Sequence, residues 1–214
     1  MLTSSRTAIP KLVADGRVVA IGRHITPVPA PVIGAALVEG GVRAMELTLN
    51  EPESDALRAV EALAGVADRL GALVGVGTVL SVEAAGRAVD AGASFIVMPH
   101  TDRDIVAWCV DRGMPCFPGA LTPTEVHAAW SAGATAVKLF PAAAVGPGYL
   151  SQLHGPFPDI PILPTGGISA EDAGAWITAG AVAVGMGGWL IGDGEPQGVT
   201  ERARLVRNVV DHAA

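Results

Sequence analysis

Clustered basic residues, long apolar runs, paired histidines and cysteine motifs are all missing from this chain of 214 residues. The formal net charge is −7, and Lys and Arg nowhere gather into the patch that a phosphate backbone requires, which argues against a nucleic-acid partner. No apolar run approaches the roughly 20 residues of a membrane span, so no membrane partner is expected either. The N-terminus carries Arg6 and Lys11 without a continuous apolar core and does not read as a secretory signal. A cytoplasmic protein is the expectation. Cys109 and Cys116 lack CxxC spacing and a neighbouring histidine cluster, which leaves them as reduced packing residues. His24, His100, His127, His154 and His212 form no HxH or HExxH pair, so the sequence offers no metal site.

What the chain does contain is a glycine that recurs just before an apolar segment, at positions 41, 71, 92, 113, 133 and 180. Each suits the left-handed position that ends a helix. The segments that follow span 44–49, 73–79, 95–98, 116–117, 136–140 and 181–184; two more, 18–21 and 160–163, bring the set to eight. They are short and continuous rather than alternating, as parallel strands buried on both faces are. Polar caps stand between them: Thr122 with Glu125, Ser169 with Asp172, Thr101 with Asp104, and Asn50 with Glu53. Helices are expected over 53–64, 81–91, 102–111 and 170–179. The alternation predicts a (β/α)8 TIM barrel in a single domain, 1–214, with a short N-terminal helix. An open doubly wound sheet is the rival. Gly75-Val76-Gly77 would begin its dinucleotide fingerprint, but Leu80 stands where the third glycine belongs and the motif fails.

Lysine is scarce too. Of the two present, Lys11 lies in a polar segment and Lys138 in the apolar run 136–141. Burying a cation is costly, and the usual outcomes are a charged partner or a neutral, nucleophilic amine. The plainer alternative is a packed stem with its head in solvent. Glu46 is likewise inside an apolar segment, on the same face as Thr48 and Asn50, and could meet Lys138 across a barrel. Gly166-Gly167 and Gly187-Gly188 end the last two segments, where glycines let backbone amides approach an anion, helped by the helix starting near Ser169. The other strand ends deliver Arg23 and His24, Thr78, Pro99 and His100, and Phe140.

Five stretches together resemble the class I pyruvate aldolase family that cleaves 2-keto-3-deoxy-6-phosphogluconate, its phosphogalactonate counterpart and 4-hydroxy-2-oxoglutarate. They are residues 41–49 (GVRAMELTL), 75–80 (GVGTVL), 137–142 (VKLFPA), 155–158 (GPFP) and 164–169 (PTGGIS). The resemblance implies Lys138 as the Schiff-base lysine and Glu46 as the acid/base. It also implies Arg23 and Thr78 on the substrate carboxylate, Pro99 and Phe140 shaping the pocket, and Gly166, Gly167, Gly187 and Gly188 receiving a phosphate. A homotrimer acting on a small 2-oxo acid, without metal or other cofactor, is implied as well. Arg23 with Asn50 is similar to the phosphogalactonate branch, while Gly188 replaces a serine common in the family. A shorter, unphosphorylated acid therefore stays open, as do a phosphate-binding barrel without a Schiff base and an inactive binding module.

Overall fold

Turn glycines and polar caps punctuate the chain, and the architecture follows from where they fall. In the computed structural model, which describes residues 6–49 and 52–213, all six recurring glycines have positive φ, from 60° at Gly113 to 111° at Gly133. That backbone region disfavours any side chain, so glycine ends a helix and turns the chain toward the next strand.

The strands are β1 (Val18–Gly22), β2 (Ala44–Thr48), β3 (Leu73–Gly77), β4 (Ile96–Val97), β5 (Cys116–Phe117), β6 (Gly119–Ala120), β7 (Val137–Leu139), β8 (Ile162–Pro164) and β9 (Val184–Met186). All pair in parallel, six in the order β5-β4-β3-β2-β1-β9 and three in the order β6-β7-β8. The expected fifth segment is thus broken in two. Pro118 divides it, because proline has no amide hydrogen to continue a ladder, although its carbonyl accepts the Lys138 N–H at 2.9 Å. A bridge between Thr165 and Gly185, and the Val182 N–H on the Ile162 carbonyl at 3.0 Å, link β8 to β9. The result is an α/β fold with a curled parallel sheet.

Most strand boundaries fall within two residues of expectation. The last does not: β9 begins three residues after the start of the apolar run, because pairing with β1 starts only where the Val184 N–H reaches the Arg17 carbonyl. The helices are α1 (Lys11–Gly16), α2 (Ala30–Glu39), α3 (Glu53–Leu70), α4 (Val82–Asp90), α5 (Arg103–Asp111), α6 (Pro123–Ala132), α7 (Pro147–His154), α8 (Ala170–Thr178), α9 (Gly188–Ile191) and α10 (Pro196–His212). Capping boxes form at Thr122 with Glu125 and at Ser169 with Asp172. At α5 the cap is Asp102, whose carboxylate accepts two amides, while the Thr101 hydroxyl donates to Gly119 instead. Asn50, expected to cap α3, lies outside the described residues.

Two layers of apolar packing hold the elements. The larger fills the space between sheet and helices. The smaller lies inside the curl and gathers Val19, Ala44, Phe95, Val97, Phe117, Ala136, Leu163 and Ala183, with Val13 of α1 joining them. Phe95 and Phe117 meet there with ring centroids 5.4 Å apart and planes tilted by 44°, a favourable offset for aromatic pairs. Among the described residues, no helix is long and apolar enough to cross a membrane.

Candidate active site

Strand periodicity decides where Lys138 and Glu46 point. Val137 and Leu139 pack in the layer toward the helices, so Lys138 must face inward with Ala136. On β2, Met45 and Leu47 belong to the outer layer and Ala44 to the inner one, which turns Glu46 and Thr48 inward. The two side chains meet inside the curl: Lys138 Nζ stands 3.9 Å from Glu46 Oε1, with the side chains 5% and 3% exposed. That separation is longer than a hydrogen bond, so the pair is held by charge alone. Glu46 Oε1 is buried and accepts no hydrogen bond among the described residues. Such an atom costs about 1–3 kcal/mol, an arrangement that stability alone does not favour. The Phe140 ring lies on the same side of β7, its centroid 5.3 Å from Nζ, close enough for a cation–π attraction.

Alternate glycines on β3 make the space. A Cβ on Gly77 would stand 1.7 Å from Glu46 Oε1, and one on Gly75 would stand 2.2 Å from the Phe95 ring. Gly75-Val76-Gly77 is therefore a spacing device: one glycine admits the aromatic floor, the other the carboxylate. The Gly-x-Gly pattern was visible in the sequence, but nothing there said which side chains it would accommodate.

The remaining candidates ring the ends of the strands. Thr78 follows β3 with φ of 60°, rare for a β-branched residue, and lines a cavity with Leu49, Leu80, Ser81 and Arg87. Arg23 follows β1, is exposed, and lines another with His24 and Asp193. Pro99 and Phe140 share a third with His100, Gly119 and Glu125. Thr78 and Arg23 thus flank β2 from its two sides. Gly166 packs against the Phe140 ring, Gly167 against Ala143, and Gly188 faces open space. The start of α8 is already occupied by its own chain, because Asp172 takes the Ser169 amide and Ser169 Oγ takes the Asp172 amide. Among the described residues no three His, Cys, Asp or Glu side chains converge as a metal site.

The chain as a whole matches a known family. Residues 11–200 fit the family model for KDPG and KHG aldolase. The chain belongs to that aldolase family. It is 35% identical over 180 residues to the 2-dehydro-3-deoxy-6-phosphogalactonate aldolase of Escherichia coli K12, covering 83% of this chain and 85% of the relative. The solved native KDPGal structure superposes with a TM-score of 0.83 at 32% identity, over 92% of this chain and 95% of that one. The Legionella pneumophila KDPG aldolase, solved with pyruvate captured as a covalent carbinolamine, aligns at a TM-score of 0.78 and 26% identity, over 95% and 96% of the two chains. Two features had no role assigned from the sequence: Gly77, whose missing side chain makes room for Glu46, and the exposed, positive-φ His24 beside Arg23.

Proposed function

We propose that this protein is a class I aldolase that cleaves a 2-keto-3-deoxy-6-phospho sugar acid to pyruvate and glyceraldehyde 3-phosphate, with Lys138 as nucleophile and Glu46 as acid/base. The observation that carries this reading is the buried Lys138–Glu46 apposition at 3.9 Å, in which Glu46 Oε1 accepts no hydrogen bond among the described residues. The Lys138 amine adds to the C2 ketone, and loss of water gives an iminium. Glu46 takes the proton of the C4 hydroxyl as the C3–C4 bond breaks. The bonding electrons flow into the iminium to form an enamine, and the aldehyde leaves. Glu46 then returns a proton to C3, and water releases pyruvate and the free amine. The pyruvate carbinolamine of the Legionella relative supports the covalent route.

In this reading Arg23 and Thr78 hold the substrate carboxylate, Pro99 and Phe140 shape the pyruvyl pocket, and the amides of Gly166, Gly167, Gly187 and Gly188 take the phosphate. The links through Pro118 and through Thr165–Gly185 support a closed eight-stranded barrel in a single domain. A cytoplasmic homotrimer completes the proposal. Similarity to the E. coli phosphogalactonate enzyme favours that C4 epimer.

Borohydride reduction in the presence of pyruvate, followed by peptide mass analysis, should place a pyruvyl adduct on Lys138. An active protein with unlabelled Lys138 would refute the mechanism. Comparing kcat/KM for the two C4 epimers and for 4-hydroxy-2-oxoglutarate fixes the substrate.

A further inference from the structure

One polar side chain inside the curl has no part in the Schiff-base chemistry. Thr48 is 2% exposed and faces inward two residues beyond Glu46, one step nearer the ends of the strands. Valine would suit a strand there equally well, so what threonine adds is a hydroxyl that makes a directed bond. That hydroxyl donates to the Gly22 carbonyl at 3.3 Å. The main-chain pairing of β1 with β2 ends at the same place, with Gly22 opposite Leu47, and Arg23 is the next residue. On the other side of β2, Thr48 is paired with Gly77, and the Leu49 N–H continues that ladder to the Gly77 carbonyl at 2.8 Å. Thr78 is the next residue there. Thr48 is therefore bonded to the residue before Arg23 and paired with the residue before Thr78. Both segments leave their strands through a positive φ, 54° at His24 and 60° at Thr78, a conformation that persists only where neighbours hold it.

We infer that Thr48 is a positioning residue: its hydroxyl ties the end of β1 to β2 and so sets Arg23 at the distance from Thr78 at which the two grip one substrate carboxylate. The inference deepens the aldolase reading and rests on its assignment of Arg23 and Thr78. Loss of one such bond should cost about fivefold in affinity for a ligand that carries the carboxylate.

The test removes the hydroxyl with Thr48→Val, which keeps the branched shape, and restores it with Thr48→Ser. In borohydride trapping on Lys138, the half-saturating pyruvate concentration should rise about fivefold in Thr48→Val and return toward wild type in Thr48→Ser. Methyl pyruvate, which has the same ketone without the carboxylate charge, should show no such rise. In turnover, KM should rise by the same factor for phosphorylated and unphosphorylated acids, because both carry the carboxylate, while kcat changes far less. A purely structural role for Thr48 would instead lower Tm and leave the pyruvate concentration dependence and KM where they are. Should Thr48→Val fail to fold, Thr48→Ala lacks the donor without added bulk and gives the same comparison. An unchanged half-saturation in the variant without the hydroxyl, an equal rise for the ester, or no recovery in Thr48→Ser overturns the inference. An unlabelled wild-type Lys138 overturns the Schiff-base mechanism instead, and pyruvate affinity measured by calorimetry in the same variants then decides the role of Thr48.

Discussion

Gly77→Ala adds one methyl group at the point where the site has least room. The new Cβ would lie 1.7 Å from Glu46 Oε1, 2.4 Å from Cδ and 2.8 Å from Cγ. A carbon and an oxygen not bonded to each other rest at about 3.3 Å, so the carboxylate must retreat by roughly 1.5 Å. Gly77 is not in the left-handed region, so the substitution tests space and not backbone freedom. A displacement of about 1 Å in a catalytic group costs on the order of 10²-fold in rate, and kcat for pyruvate release, followed with a lactate dehydrogenase couple, should fall by about that much. Overpacking of this kind also destabilises by about 1–3 kcal/mol, or about 2–4 °C in Tm per kcal/mol for a chain of this size. Gly75→Ala is the control. It drives a Cβ to 2.2 Å from the Phe95 ring, in the floor below the pair, and should lose similar stability while keeping most of its turnover. Wild-type kcat in Gly77→Ala, or equal loss of kcat in both variants, would refute the placement of Glu46 as the working carboxylate.

Three further outcomes are expected. Glu46→Gln removes the proton acceptor but leaves the amine, so pyruvate should still be trapped on Lys138 while steady-state turnover falls by about 10²–10⁴-fold. Thr122→Ala takes away the hydroxyl that accepts the Glu125 amide at the start of α6, and urea unfolding should register a loss of about 1 kcal/mol with turnover unaffected. The Thr122 and Leu121 backbone amides donate to the Glu125 carboxylate and hold it below the usual carboxylate range. The stability it contributes is therefore complete above the unfolded-state pKa and is lost as pH falls through the lower, folded value. Urea midpoints for wild type and Glu125→Gln should differ at pH 6 and draw together as the pH is lowered into the acid range; a constant difference throughout would sink the assignment.

The repeat of strand and helix was legible because its punctuation is local. A glycine in the left-handed region, or a Thr with a Glu three residues on, acts within a few residues of chain, and the six helix-ending glycines and the boxes at Thr122 and Ser169 form as their spacing indicates. Lys138 and Glu46 were legible for a related reason: a charge inside an apolar strand is costly wherever the strand goes. Thr101 was misread as a cap because its hydroxyl has a better acceptor in Gly119, which is 18 residues away and adjacent only after folding. The same limit hid the break at Pro118, which matters only where a neighbouring strand expects an amide.

By itself, then, the sequence determined the elements, their parallel arrangement, the two ionisable residues in the core and the family resemblance. Only the tertiary structure decided that those two charges lie 3.9 Å apart, that Gly77 makes room for one of them, and that Thr78 and Arg23 stand on either side of β2. Distances across the curl depend on how every strand is set against the next. No local pattern encodes that sum.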